Sequence, residues 1–127
     1  MGPSESINRA LNAFFNGFGI PGYLEDNIPP AASLPYLTYK PTIPGGWNET
    51  ASFHARLWYP SKGGRAPILQ IEDTISAALP RGGLTIKCEG GAILLDKDDK
   101  DWAQPLNNTP EGYLCEYLIF ELTRLIP

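Results

Sequence analysis

From Trp47 to Tyr59 the chain alternates without a break. Trp47, Glu49, Ala51, Phe53, Ala55, Leu57 and Tyr59 fall on one side, and Asn48, Thr50, Ser52, His54, Arg56 and Trp58 on the other. A period of two over that length specifies a long β-strand with one buried face. Such a strand is not stable alone, so the rest of the chain must supply partner strands and a cover for the apolar side.

The remaining residues divide into segments that can do both. Ile7, Ala10, Leu11, Phe14 and Phe15 recur at helical spacing, with Ser4 as the expected cap and Gly17 and Gly19 as the stop. A second helix is expected from Pro67 through Ile68, Leu69, Ile71, Ile75, Ala78 and Leu79, ended by Pro80 and Gly82-Gly83. Tyr36–Tyr39, between Pro35 and Pro41, reads as a short strand near an edge that hairpins through Pro44-Gly45-Gly46 into the long one. Leu84–Cys88 and Ala92–Leu95 flank the turn Glu89-Gly90-Gly91 as a second hairpin.

The last element, Gly112 to Leu125, is apolar on both faces: Leu114, Leu118, Phe120 and Leu122 on one, Tyr113, Cys115, Tyr117 and Ile119 on the other. That pattern belongs to a strand central in its sheet or covered by a partner. Residues 20–35 hold Pro21, Pro29, Pro30 and Pro35 and read as an irregular arm or loop. The chain holds 13 glycines and 13 prolines, and most of those outside this segment punctuate the periodic segments. The expectation is a single α+β domain over 1–127 in the order α-β-β-α-β-β-β. Its mainly antiparallel sheet has about five strands, with two helices packed on one face. Two helices cover only one face of such a sheet, so the apolar surplus implies contacts between subunits.

Chemistry is scarce. A net charge of −4 leaves no excess of cations to neutralise phosphates or an anionic membrane. No run of apolar residues is long enough to span a bilayer, and the first residues lack an export signal, so a soluble chain is expected. Cys88 and Cys115 are too few for a disulfide framework or a zinc site and read as free thiols in a reducing cytoplasm. His54, the only histidine, lies mid-strand with no nucleophile motif beside it and reads as a surface or interface residue. Within the charged run 96–101, Lys100, Asp101 and Asn107 occupy the fifth, sixth and twelfth places of a would-be calcium loop, where ligand, glycine and glutamate are needed. A solvated acidic loop is the better reading, and neither metal nor cofactor is expected. Gly63-Gly64, Gly82-Gly83 and Gly90-Gly91 read as turns, because none leads into a phosphate-binding Lys-Ser/Thr. The aromatic set Tyr36, Tyr39, Trp47, Trp58, Tyr59 and Trp102 lacks the interleaved basic residues of a single-strand binder and reads as core and interface.

Leu34-Pro35-Tyr36-Leu37-Thr38-Tyr39, the stretch from Trp47 through Phe53-His54-Ala55-Arg56-Leu57-Trp58-Tyr59-Pro60-Ser61, the helix Ile68–Leu79 and the closing Gly112-Tyr113-Leu114-Cys115-Glu116-Tyr117 together resemble the tail terminator or tail-completion proteins of long-tailed bacteriophages and prophages. The resemblance spans about Ile7 to Leu125. It implies a non-enzymatic virion subunit that forms a ring, typically a hexamer, at the head-proximal end of the tail tube. There it would end tube polymerisation and meet a head-completion or connector protein, after a period in the host cytoplasm. Another head–tail connector component, such as a stopper, is the alternative, ahead of a small enzyme or a monomeric binding module. On this reading Trp47, Trp58, Tyr59, Tyr113 and Tyr117 are candidate contacts with neighbouring subunits or the tube. Asp96, Asp98, Asp99 and Asp101 are candidates to line a lumen through which DNA passes without sticking.

Overall fold

The computed structural model describes residues 2–125. Its elements are α1 (Pro3–Phe15), β1 (Gly22–Leu24), β2 (Tyr36–Lys40), β3 (Thr50–Pro60), a 3-10 turn (Ser61–Gly63), α2 (Ala66–Ala78), β4 (Leu84–Cys88), β5 (Gly91–Lys97), β6 (Ala103–Leu106) and β7 (Tyr113–Leu125). The architecture is α+β, as the sequence indicates, but the sheet has seven strands rather than about five. They run in the order β1-β2-β3-β7-β5-β4, with β6 paired to β7.

Both additional strands come from segments that read as loops. Gly22–Leu24, inside the proline-rich segment 20–35, pairs parallel with Leu37–Tyr39 and so belongs to the chain's own sheet. β6 lies beyond the acidic run and pairs antiparallel with Leu118 to Cys115 of β7. It adjoins β7 beyond the stretch that pairs with β5, so two short strands share one edge of the long strand.

Paired from Tyr113 to Thr123 with β3 on one side and with β5 and β6 on the other, β7 is a central strand, one of the two placements its apolar faces allow. The registers Phe53↔Phe120, Ala55↔Leu118 and Leu95↔Leu122 align the apolar series of three strands on one face. Ile7, Leu11 and Phe15 of α1 and Ile68 and Ile75 of α2 join them in one buried core, so both helices pack on that face. Phe15 sits at the junction: its ring stacks on Tyr39 at 4.6 Å and meets Phe53 and Phe120 edge-on.

Two local expectations change. Ser4 lies inside α1, because Pro3 takes the first helical turn and Gly2 the cap position. Trp47 does not continue the β3 alternation. Asn48 takes φ 62° and breaks the strand, leaving Trp47 38% exposed beneath the Arg124 guanidinium, 4.4 Å from the ring centre.

Candidate functional site

The face of the sheet away from the helices is built in rows by the β2–β3–β7–β6 registers. Tyr36, Trp58, Cys115 and Leu106 form one row, Thr38, Arg56, Tyr117 and Gln104 the next, and Lys40, His54 and Ile119 a third. Glu25 enters this face from just beyond β1, fixed by its backbone N–H donating to the Tyr39 carbonyl. Its Oε1 accepts from Arg56 Nη1 at 2.9 Å and from His54 Nε2 at 3.2 Å. His54 stacks on the Tyr117 ring at 4.9 Å, and Arg56 lies over the same ring at 5.7 Å. Trp58 Nε1 donates to the buried Thr38 hydroxyl at 3.1 Å, and its ring meets Tyr113 edge-on.

The result is a half-exposed surface of aromatic rings in which one carboxylate, through Arg56 and His54, holds Tyr117, and Thr38 holds Trp58. Glu25 is occupied by two cationic or potentially cationic partners, so it is poorly placed as a free general base. Cys115 is fully buried in the same layer, and burial pushes its thiol up to about 12, which denies it thiolate chemistry at neutral pH. Burial also raises the Cys88 thiol, opposed by a hydrogen bond with Ser6.

Of the five aromatic contact candidates, the structure brings three together on this face: Trp58, Tyr113 and Tyr117. Tyr59 lies on the opposite side, packed against the core, where burial raises its phenol. Trp47 stands apart, beside Gly91 and Arg124.

The four aspartates are less uniform than their spacing suggests. Asp96 lies in β5 opposite Glu121 of β7 and accepts the N–H of Lys97. Asp98 accepts the N–H groups of Lys100 and Asp101, and these bonds hold its carboxyl below the usual range. Asp98 is therefore a structural turn residue as well as a charge. Glu121 belongs to the same patch: partial burial, then Asp98, Asp99 and Asp96, raise its carboxyl. Asp96, Asp98 and Asp99 also border a surface cleft of about 410 Å³ with Arg81, Lys97 and Trp102, so the cleft itself is mixed in charge. Among the described residues no group of three or more His, Cys, Asp or Glu side chains is placed to hold a metal ion. Among them, too, no helix is long and apolar enough to cross a membrane.

Two arrangements escaped the sequence reading. Gly17-Phe18-Gly19-Ile20-Pro21-Gly22 has the spacing of a dinucleotide-binding fingerprint, but it runs from a helix into a strand, the reverse of the order that places phosphate at a helix N-terminus. Instead, Asn16 closes this loop by accepting the Gly22 N–H at 2.8 Å and donating to the Gly22 carbonyl at 3.1 Å. Glu116, on the core face of β7, is the second: its side chain is 6% exposed and paired with Arg65 at 2.8 Å. A lone acid in the series Leu114-x-Glu116-x-Leu118 is the signal that would have found it, since buried carboxylates require partners.

No family model and no curated protein matches this chain. One solved structure, whose name carries no functional description, is similar over 98% of this chain and 94% of its own length, with a TM-score of 0.60 at 16% identity. That likeness establishes a shared fold.

Proposed function

We propose that this chain is a structural subunit of a ring at the head-proximal end of a phage tail tube, where it ends tube growth and joins the tail to the head. The observation that carries the reading is the uneven cover of the sheet. Both helices occupy one face, while the other presents Trp58, Tyr113 and Tyr117 half-exposed. Half-exposed aromatic rings held rigid by polar neighbours are the composition of a protein interface. The resemblance in Leu34–Tyr39, Trp47–Ser61 and Gly112–Tyr117 supplies the phage context. In this setting the aspartate patch, extended by Glu121, faces the lumen and repels passing DNA.

Native mass spectrometry of the purified chain, with and without tail-tube protein, tests the proposal. A closed ring that binds the end of the tube is expected. A chain that stays monomeric at all concentrations and ignores the tube overturns it, and a ring that binds only a head-side connector transfers the assignment to a stopper.

A further inference from the structure

Beneath α2, two carboxylates face one guanidinium. Glu116 Oε1 receives Arg65 Nη1 at 2.8 Å, and Arg65 Nη2 lies 3.5 Å from the Cys115 carbonyl. From α2, Glu72 faces the same Glu116 carboxylate, and its own Oε1 is sealed from water with no donor among the described residues. The charged groups around Glu72 are Glu116 from β7, Arg65 from the lead-in to α2, and Asp73 from α2 itself. The neighbours of Glu116 in β3 and β6 are Leu57 and Pro105, neither of which titrates. Lys97 of β5, the next cation along this face, is engaged with the Ser76 hydroxyl at 2.7 Å and the Trp102 ring. A buried acceptor beside a second acceptor is an arrangement folded proteins avoid unless a proton lies between them.

We propose that Glu72 is held as a neutral carboxylic acid that donates its proton to Glu116, and that this hydrogen bond is a latch fastening α2 to the sheet. Loss of the proton to solvent leaves two carboxylates against one guanidinium and loosens the helix. Burial first, then the bond to Glu116 and the charges of Glu116 and Asp73, push the Glu72 carboxyl from 4.5 up to about 7 against the opposing pull of Arg65. The latch therefore holds below neutrality and opens as pH rises through it. Opening frees Ile68 and Ile75, the residues by which α2 enters the core. The latch does not depend on the ring reading.

Carbon-detected NMR titration of side-chain carboxyls, joined to hydrogen exchange of α2 amides at pH 6 and pH 8, tests it in the whole chain. One glutamate carboxyl is expected to titrate near pH 7 and to vanish in Glu72→Gln, while Glu121→Gln leaves it in place. Exchange in α2, referenced to α1, is expected to rise about tenfold from pH 6 to pH 8 in the wild type and to stay flat in Glu72→Gln, which keeps the hydrogen bond without the proton equilibrium. The latch is overturned if Glu72 titrates in the ordinary glutamate range, or if Glu72→Gln shows the same rise. Should that variant fail to fold, the wild-type titration, with the Glu121 signal removed by Glu121→Gln, decides alone.

Discussion

Replacing Arg65 by alanine strips the buried Glu116 carboxylate of the cation it is paired with, and the structure bounds the cost. Breaking a fully buried ion pair by removing one partner costs about 3–5 kcal/mol, because the remaining charge stays desolvated. Here the Glu116 side chain is 6% exposed but Arg65 is 36% exposed, so water can enter the space the guanidinium leaves. Discounted for that screening, the expected loss is about 2 kcal/mol. For a domain of this size that lowers the thermal midpoint by roughly 7 °C. Urea unfolding at pH 6, followed by circular dichroism, reads the loss as a lower midpoint at an unchanged slope. The double variant Arg65→Ala/Glu116→Gln should recover about half of it, because a neutral amide needs no counter-charge. A loss below about 0.5 kcal/mol, or a double variant no more stable than the single one, refutes the view of Arg65 and Glu116 as a desolvated pair.

Truncating Phe15 to alanine removes the ring that joins Tyr39, Phe53 and Phe120 and should cost about 3–5 kcal/mol by thermal unfolding. Asn16→Ala loses both bonds to Gly22 and should cost about 1–2 kcal/mol, with faster amide exchange at Gly22 and Leu24 as its local signature. On the ring reading, Tyr113→Glu, on the open face, should leave the thermal midpoint within a few degrees of wild type while abolishing ring formation in native mass spectrometry; an intact ring removes Tyr113 from the interface. Asp99→Lys is a cleaner probe of the acidic patch than any change at Asp98, whose turn bonds would be lost with its charge. It should lower the titration of Glu121 and, if the patch lines a channel, reduce infectivity without altering folding.

What was legible in the sequence follows from how each element is specified. β3 and β7 carry their period over eleven and thirteen residues, so their faces were readable, and the two apolar faces of β7 narrowed it to a central or a partner-covered strand, although its pairing with β3 and β5 was not readable. The helices were equally plain, since Ile7, Leu11 and Phe15 fall at helical spacing and Pro67 marks the first turn of α2. β1 and β6 had no such signal. Three residues in a proline-rich segment and Ala-Gln-Pro-Leu show no alternation, and both strands exist because a neighbouring strand, β2 for β1 and β7 for β6, offers free backbone groups. The open-face network was hidden for another reason. Glu25 is 29 residues from His54 in sequence, and only the parallel pairing of β1 with β2 brings it to the row of Lys40 and His54.

On the ring reading, that network bears on how the subunit could wait for its partners. A sheet face of the same aromatic content without polar anchors would present a contiguous apolar patch, a liability in any chain that must persist before assembly. Here Glu25 fixes Arg56 and His54, both lie against Tyr117, and Thr38 takes the indole N–H of Trp58, so these rings are held in place and the Trp58 N–H is bonded without a neighbour, while Arg56 Nε stays buried without a partner among the described residues. Rigidity before contact lowers the entropy lost on association, while satisfied polar groups lower the gain from burying the face. The two together favour pairwise contacts that are weak in isolation, with strength arising when several close at once around a ring or on the end of a tube. On the ring reading, therefore, oligomerisation of the free chain should be strongly concentration-dependent, and tube protein should shift it far toward the closed form.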